Sequence, residues 1–400
     1  SGTSEQAAHV SWYLIRVMIR YQASVQLQLC HCAGPYIMYK NLKKHVFVMH
    51  CIHSIDSALK ITFLDPLGFK KVKIDEKDSP KVEILVLVIG ESSSQSHYSL
   101  FGYQTNITNP LLGKRTDLLT FNNVLSVGPN TQPNVKTLLS GKIAENEDSL
   151  SNDLISVSKE LGYTTYYVDN NKFARYDPLV ALAKRADYYW NLNGIAKTED
   201  HIFLDSHLSF DEEITPYFER ALKEKNDKKL IILHMSGSHP AQYKRYPEKW
   251  NQFNHFYDNS ILYTDYVLNT WIDLFTIYSH RKNTAFIMLS DHGVEFPADC
   301  DPTEKVVEGL KSFGANDHYL SSISVPMLVW LSPQFKSSYV IEYQHLQHHK
   351  NTPLDSRVLY PTVMHLIGAK VIENKSVQEL SILNSKVNFL PRMNYDKTNI

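Results

Sequence analysis

The chain has 400 residues, 43% hydrophobic and 21% charged, an ordinary globular balance that can bury a sizeable core. A formal net charge of −1, with no long basic or acidic block, excludes nucleic-acid binding on electrostatic grounds. No apolar run reaches the roughly 18 residues of a membrane-spanning helix, and no signal-peptide pattern is visible.

Residues 1–80 read as an N-terminal helical or linker segment of separate character. Trp12 to Arg20 is helix-like and apolar around much of its circumference, and its uneven apolar stripe fits packing on a larger domain better than lying on a membrane. Cys30, Cys32 and Cys51, with His31, His50 and His53, lack zinc-ligand spacing and read as buried thiols and surface histidines. With Cys300 they form no disulfide framework, so cysteine usage does not fix the compartment. The charged run Lys70 to Asp78, followed by Ser79-Pro80, reads as a linker.

From Lys81 the texture is α/β, and residues 81–400 are taken as a catalytic domain. Ile84 to Ile89 is a continuous run of β-branched residues and leucine, as expected of a strand buried on both faces of a parallel sheet. Thr165–Val168, Leu230–Leu233, Thr284–Leu289 and Val325–Leu331 are similar. Helical stretches separate them, at Asp148–Leu161, Ile214–Lys225 and Tyr257–Leu274. This alternation predicts an α/β fold: a mostly parallel central sheet with helices on both faces.

Polar residues follow these strands at once. The first ends in Gly90-Glu91-Ser92-Ser93-Ser94, the third in His234-Met235-Ser236-Gly237-Ser238-His239, and the fourth in Ser290-Asp291-His292-Gly293. Open α/β sheets bind ligands at the carboxyl ends of their strands, so Glu, His, Asp and His arrive at one edge. Oxygen and imidazole donors without thiols suit a catalytic zinc or manganese. A rival reading is a serine hydrolase, because Gly90-Glu91-Ser92 begins like a nucleophile elbow. The closing glycine of that motif is missing, however, and Asp291-His292 is contiguous rather than split between two loops.

Six blocks, in order over about residues 82–335, resemble the bacterial phosphoethanolamine transferases of the sulfatase and alkaline phosphatase superfamily. The opening signature is Val88-Ile89-Gly90-Glu91-Ser92 with His97 to Tyr103 and Thr108-Asn109-Pro110. Phe121-Asn122-Asn123-Val124 then leads to Gly128-Pro129-Asn130-Thr131, and His234 to His239 leads to Tyr243 to Glu248. Tyr257 to Asp265, Ser290 to Gly293, and Asp317-His318 with Val325-Pro326 complete the set. Val127 stands where the lipid A branch carries a cysteine, so the likeness is to the branch that decorates lipopolysaccharide core sugars. Val294 departs from the family's acidic residue after Asp-His-Gly, with Glu295 one place later. Residues 1–80 do not resemble the family's membrane helices.

The resemblance implies one tightly bound zinc held by Glu91, Thr131, Asp291 and His292, with Thr131 as nucleophile. A threonine hydroxyl is a poor nucleophile at neutral pH, and a divalent cation supplies the missing activation. His239 and His318 match the family's phosphate-side or second-metal histidines, leaving room for a second zinc. Asn171 and Arg175, after the second strand, are candidate head-group contacts. His234 is expected to support a strand end, Ser92 to Ser94 to act as caps, and Tyr257, Asp258 and Asp265 to pack a helix. The implied donor is phosphatidylethanolamine. The implied acceptor is lipopolysaccharide (core or lipid A) or another envelope glycan, at the membrane surface on the periplasmic face of a Gram-negative inner membrane. A phosphoglycerol transferase or a phospho- or sulfo-ester hydrolase of the same superfamily would share these ligands. An inactive binding module would keep the fold without transfer.

Overall fold

A computed structural model of the protein describes residues 79–141, 153–171, 177–194, 209–296, 306–312, 315–369 and 378–387. The expectations for the helix Trp12–Arg20, the Cys30–His53 cluster and the charged run to Asp78 lie outside the described residues, as do Arg175 and Cys300. In chain order the strands are β1 (Ile84–Gly90), β2 (Leu118–Phe121), β3 (Val124–Leu125), β4 (Thr164–Asp169), β5 (Tyr188–Asn191), β6 (Lys229–His234), β7 (Thr284–Ser290), β8 (Val306–Ser312), β9 (Ala315–Tyr319), β10 (Met327–Leu331) and β11 (Leu354–Asp355). The α-helices are α1 (Thr131–Ser140), α2 (Leu154–Glu160), α3 (Pro178–Ala183), α4 (Thr215–Lys223), α5 (Phe256–Tyr278), α6 (Pro333–Ser338), α7 (Val340–His348) and α8 (Leu359–Leu366).

One seven-stranded sheet, ordered β2-β10-β7-β1-β6-β4-β5, organises these elements. Strands β7, β1, β6 and β4 are parallel, as their apolar runs imply, and the short β5, which has no such run, adds to them in parallel at the edge. β1 is buried along its whole length, and its two faces feed two cores. Leu85, Leu87 and Ile89 pack with Val135 and Leu138 of α1, Leu154 of α2, Leu179 of α3 and Val363 of α8. Ile84, Val86 and Val88 pack with Phe218 of α4 and Trp271 and Phe275 of α5. Each such side chain contributes roughly 1.5–3 kcal/mol on burial, which is why a continuous apolar run specifies a central strand. The fold is therefore α/β with a mostly parallel sheet and helices on both faces.

The last strand departs from expectation. β10 starts at Met327 rather than Val325 and runs antiparallel to both β7 and β2. After β7 the chain passes through the β8–β9 pair with no crossover helix among the described residues, so it re-enters the sheet from the end it left and runs backwards. α2 also begins later than the apolar pattern proposes, because the Asp153 side chain caps the backbone amides of Ile155 and Ser156, both at 3.0 Å. At the far end of the sheet the buried Lys229 ammonium closes α4, donating to the carbonyls of Ala221, Leu222 and Glu224 at 2.8, 2.7 and 2.6 Å. No helix among the described residues is long and apolar enough to cross a membrane.

Candidate metal centre and active site

Strand register builds the site. Gly90 pairs with Ser290, so Glu91 and Asp291, each the next residue on its own strand, emerge side by side. Thr131 is the first residue of α1, after an extended Asn130. Its Oγ1 lies 3.1 Å from His292 Nε2 and 3.2 Å from Glu91 Oε2. His292 Nε2 is in turn 3.6 Å from Glu91 Oε1 and 3.4 Å from Asp291 Oδ2.

The free valences point at one another. His292 Nδ1 lies 2.7 Å from the Gly293 carbonyl and so carries the proton it donates, which leaves Nε2 a bare lone pair facing the cluster. Asp291 Oδ1 accepts from the amides of Ser92 and His292, while Oδ2 is buried with no hydrogen-bond donor. Burial first, and the neighbouring Asp291 second, push the Glu91 carboxyl above its ordinary range. Burial opposes a charged His292, but the Asp291 and Glu91 carboxylates together outweigh it and hold the imidazole above its usual value. Two buried acids, a bare imidazole nitrogen and a hydroxyl form a donor set that fits a divalent cation.

The loop carrying Glu91 is tightly held. Ser92 adopts φ +55°, a left-handed conformation unusual for a residue with a side chain, and its Oγ donates to Glu91 Oε1 at 2.6 Å. The Tyr257 hydroxyl, from α5, accepts from Ser94 N–H at 2.6 Å and donates to the Ser92 carbonyl at 2.8 Å. Ser94 Oγ donates to the Ser321 carbonyl, and the Ser93 amide donates to Ser290 Oγ. The hydroxyls of Ser92 and Ser94 thus brace the loop through Glu91 and the Ser321 carbonyl rather than by capping: Ser94 precedes the Gln95–His97 turn but its side chain makes no cap bond. Gly237, at φ +49°, passes so close that a Cβ there would lie 2.4 Å from the Glu91 carbonyl oxygen.

The remaining predicted residues sit at varied distances from this centre. His239 neighbours it: Glu91 and His292 both act on it electrostatically, and burial holds it below its ordinary range. Its position is fixed by Arg245, which bonds its carbonyl, its Nδ1, Ser236 Oγ and the Pro240 carbonyl. His234 is fully buried at the end of β6, 3.1 Å from the Tyr167 hydroxyl, and burial pushes it down to about 3. Asn171 is buried, with its amide donating to the Met235 carbonyl. His318 lies in β9, paired with Val307. Asp265 accepts the amides of Leu111 and Leu112. Reading the sequence missed the bracing by Tyr257 and Arg245, and the contact of Gln132 with Asp177 beside Thr131. The sequence signal for Arg245 and Tyr257 was their place in the Tyr243 to Glu248 and Tyr257 to Asp265 blocks; Gln132 and Asp177 had none.

The sulfatase family signature matches residues 83–369. The chain is 27% identical over 263 residues to the putative transferase YhbX of Escherichia coli K12, covering 63% of this chain and 44% of the relative. It is 27% identical over 282 residues to the phosphoethanolamine transferase EptC of the same strain, covering 64% of this chain and 46% of EptC. The chain thus spans about half the length of the curated relatives it matches. The crystal structure of the C-terminal periplasmic domain of E. coli EptC in complex with Zn superposes with a TM-score of 0.66 at 24% identity, covering 82% of this chain and 94% of that domain. By its signature, which takes in every strand of the central sheet and Glu91, Thr131, Asp291 and His292, the chain belongs to the sulfatase family.

Proposed function

We propose that this chain is the catalytic domain of a zinc-dependent phosphoethanolamine transferase with Thr131 as nucleophile. The donor is phosphatidylethanolamine and the acceptor a lipopolysaccharide (core or lipid A) or another envelope glycan, at the periplasmic face of an inner membrane. The observation that carries the reading is the position of Thr131 Oγ1, 3.1 Å from His292 Nε2 and 3.2 Å from Glu91 Oε2 at the first turn of a helix. The names of the relatives supply the transferred group.

Glu91, Asp291, His292 and Thr131 would hold the zinc. When bound, zinc supplies Lewis-acid stabilisation of negative charge on oxygen. The chain does the rest by placement. Thr131 Oγ1 gives up its proton and forms a bond to phosphorus as the diacylglycerol oxygen leaves and takes up a proton. An acceptor hydroxyl then forms its own bond to phosphorus, loses its proton, and returns Thr131 to the free hydroxyl. Thr131 is the first residue of α1, so a phosphoryl group bonded to it would lie at the amino end of that helix, where the helix dipole favours negative charge in both steps. His239, neutral at pH 7 because burial lowers its proton affinity, is assigned with His318 to the phosphate side or to a second zinc. Asn171 and Arg175 are assigned to the head group. Two sequential displacements give ping-pong kinetics.

Intact mass of the wild type and Thr131→Ala, each incubated with phosphatidylethanolamine, tests this. The expected result is a phosphoethanolamine adduct on the wild type alone. An adduct that survives in Thr131→Ala, or a parallel incubation in which phosphatidylglycerol gives a phosphoglycerol adduct and phosphatidylethanolamine gives none, would overturn the nucleophile or the donor respectively.

A further inference from the structure

A second group of ligand-type side chains stands outside the site above. His97 ends the short 3-10 turn Gln95–His97 that follows the Glu91–Ser94 loop, while His255 and Asp258 lie at the start of α5. One donor atom from each falls within 4.8 Å of the other two. His97 Nδ1 is 2.7 Å and His255 Nδ1 3.4 Å from the same Asp258 oxygen, Oδ1. The other oxygen, Oδ2, accepts from the Tyr103 hydroxyl at 2.8 Å and the Asn106 amide at 2.6 Å. The two imidazoles stack, with centroids 5.5 Å apart and planes 19° from parallel, and Phe296 stacks on His97 at 4.1 Å. Asp258 and His97 are buried, whereas the His255 side chain is 50% exposed, so His255 offers the way in from solvent.

We propose that His97, His255 and Asp258 form a second metal site, for zinc or a similar divalent ion that favours imidazole. Two imidazoles and one carboxylate, with a fourth position left to water, are a donor set that zinc accepts in tetrahedral geometry. Bonds of about 2.0–2.1 Å place tetrahedral donors roughly 3.3 Å apart. His255 Nδ1 and Asp258 Oδ1 already have that spacing, and His97 Nδ1 needs to withdraw by about half an ångström. Tyr103 and Asn106 act as outer partners: they saturate Oδ2 and turn Oδ1 toward both histidines. The ion takes the place of the hydrogen bond between His97 Nδ1 and Asp258, and the imidazole proton moves to Nε2, so the ring stays neutral. An ordinary ion pair uses one histidine for one carboxylate; here two imidazoles flank a single oxygen whose twin is already satisfied, and His255 Nδ1, which accepts the Asp258 amide at 3.4 Å as the cap of α5, would exchange that long bond for the ion. Bound there, the ion ties the turn after the Glu91 loop to the first turn of α5, next to Tyr257. The site is independent of the transferase reading.

Zinc titration against a chromophoric chelator, on stripped wild type, His292→Ala, His255→Ala and the double variant, tests the proposal. Melting temperature is followed in parallel. His255→Ala is expected to bind one zinc fewer than wild type and to keep the zinc that His292→Ala loses. Zinc is expected to raise the melting temperature of His292→Ala and not that of the double variant. Asp258→Asn, read against metal-free wild type for folding, is expected to lose the same equivalent as His255→Ala. An unchanged zinc count and affinity in His255→Ala, or a zinc-induced rise as large in the double variant as in His292→Ala, would overturn the second site. Loss of zinc in His292→Ala alone bears on the transferase centre and not on this one.

Discussion

Replacing Tyr257 by Phe removes one oxygen and should disturb both stability and metal binding. The hydroxyl is buried, and burial holds the phenol well above its ordinary range, so it is a protonated donor throughout the accessible pH range. It bridges Ser94 N–H at 2.6 Å and the Ser92 carbonyl at 2.8 Å. Ser94 is fully buried, so Phe leaves an amide with no acceptor, at about 1–3 kcal/mol. The lost bond to the Ser92 carbonyl adds about 0.5–1.5 kcal/mol. The sum, about 1.5–4.5 kcal/mol, is a large part of the roughly 5–15 kcal/mol that stabilises a typical domain.

Ser92 makes the effect local to the centre. Its left-handed backbone carries strain of about 1–3 kcal/mol, held in place by its neighbours. Without the tyrosine pin the loop relaxes and Glu91 moves off its position beside Thr131 and His292. Loss of such a supporting contact lowers metal affinity by roughly 10–100-fold. Urea denaturation of the metal-free protein and zinc competition on the same preparation measure both quantities. A stability loss below about 0.5 kcal/mol would refute the hydrogen-bond accounting. A large stability loss with wild-type zinc affinity would show that Tyr257 supports the fold without positioning Glu91.

Gly237→Ala places a Cβ 2.4 Å from the Glu91 carbonyl oxygen at φ +49°. It should cost more than the ~1–2 kcal/mol of a left-handed alanine and weaken zinc binding, read by the same two assays. Lys229→Met removes the ammonium bonds to three carbonyls at the end of α4. Its expected cost is about 2–4 kcal/mol in denaturant unfolding, with zinc affinity unchanged because the helix end is remote from the centre. Glu91 and His292 should also contribute less stability to the metal-free protein as pH rises. Glu91 and His292 both have folded-state pKa values above their reference values of 4.5 and 6.5, so the folded state binds more protons between reference and folded values. That stabilisation is complete below pH 4.5 for Glu91 and below 6.5 for His292, and it is lost as pH passes each folded value. Zinc requires both groups deprotonated, so the melting-temperature increment from zinc should grow over the same interval. Thermal melts with and without zinc at several pH values measure this, and a shrinking increment would contradict the assigned ligands.

The sequence was legible where burial and function coincide on one strand. Ile84 to Ile89 must be apolar because both faces of β1 are covered, so the switch to Gly90-Glu91 marks where the strand leaves the core. The same switch marks Ser290-Asp291-His292 after β7, and the register of the two strands brings these ends together. Short or reversed elements left no comparable mark. β2 and β5 have four residues each, too few for a period to show. The antiparallel sense of β10 depends on the path of the preceding chain and not on the composition of Met327–Leu331.

Supporting residues were hidden for a different reason. Tyr257 lies at sequence separations of 163 and 165 from the loop atoms it pins, and from sequence it is one more aromatic at the start of a helix. A helix-packing role for Tyr257 and Asp258 describes only part of what they do. Both are buried, as core residues are, but their polar atoms face inward: the tyrosine to the Glu91 loop, the aspartate to His97 and His255. Periodicity reports which side of a helix is covered, and here the covered side carries polar groups that must be satisfied across the interface. A polar residue in the buried register of a long helix therefore marks a contact whose partner lies elsewhere in the chain. In this protein both such partners lie in the first turns after β1, the segment that sets the position of Glu91.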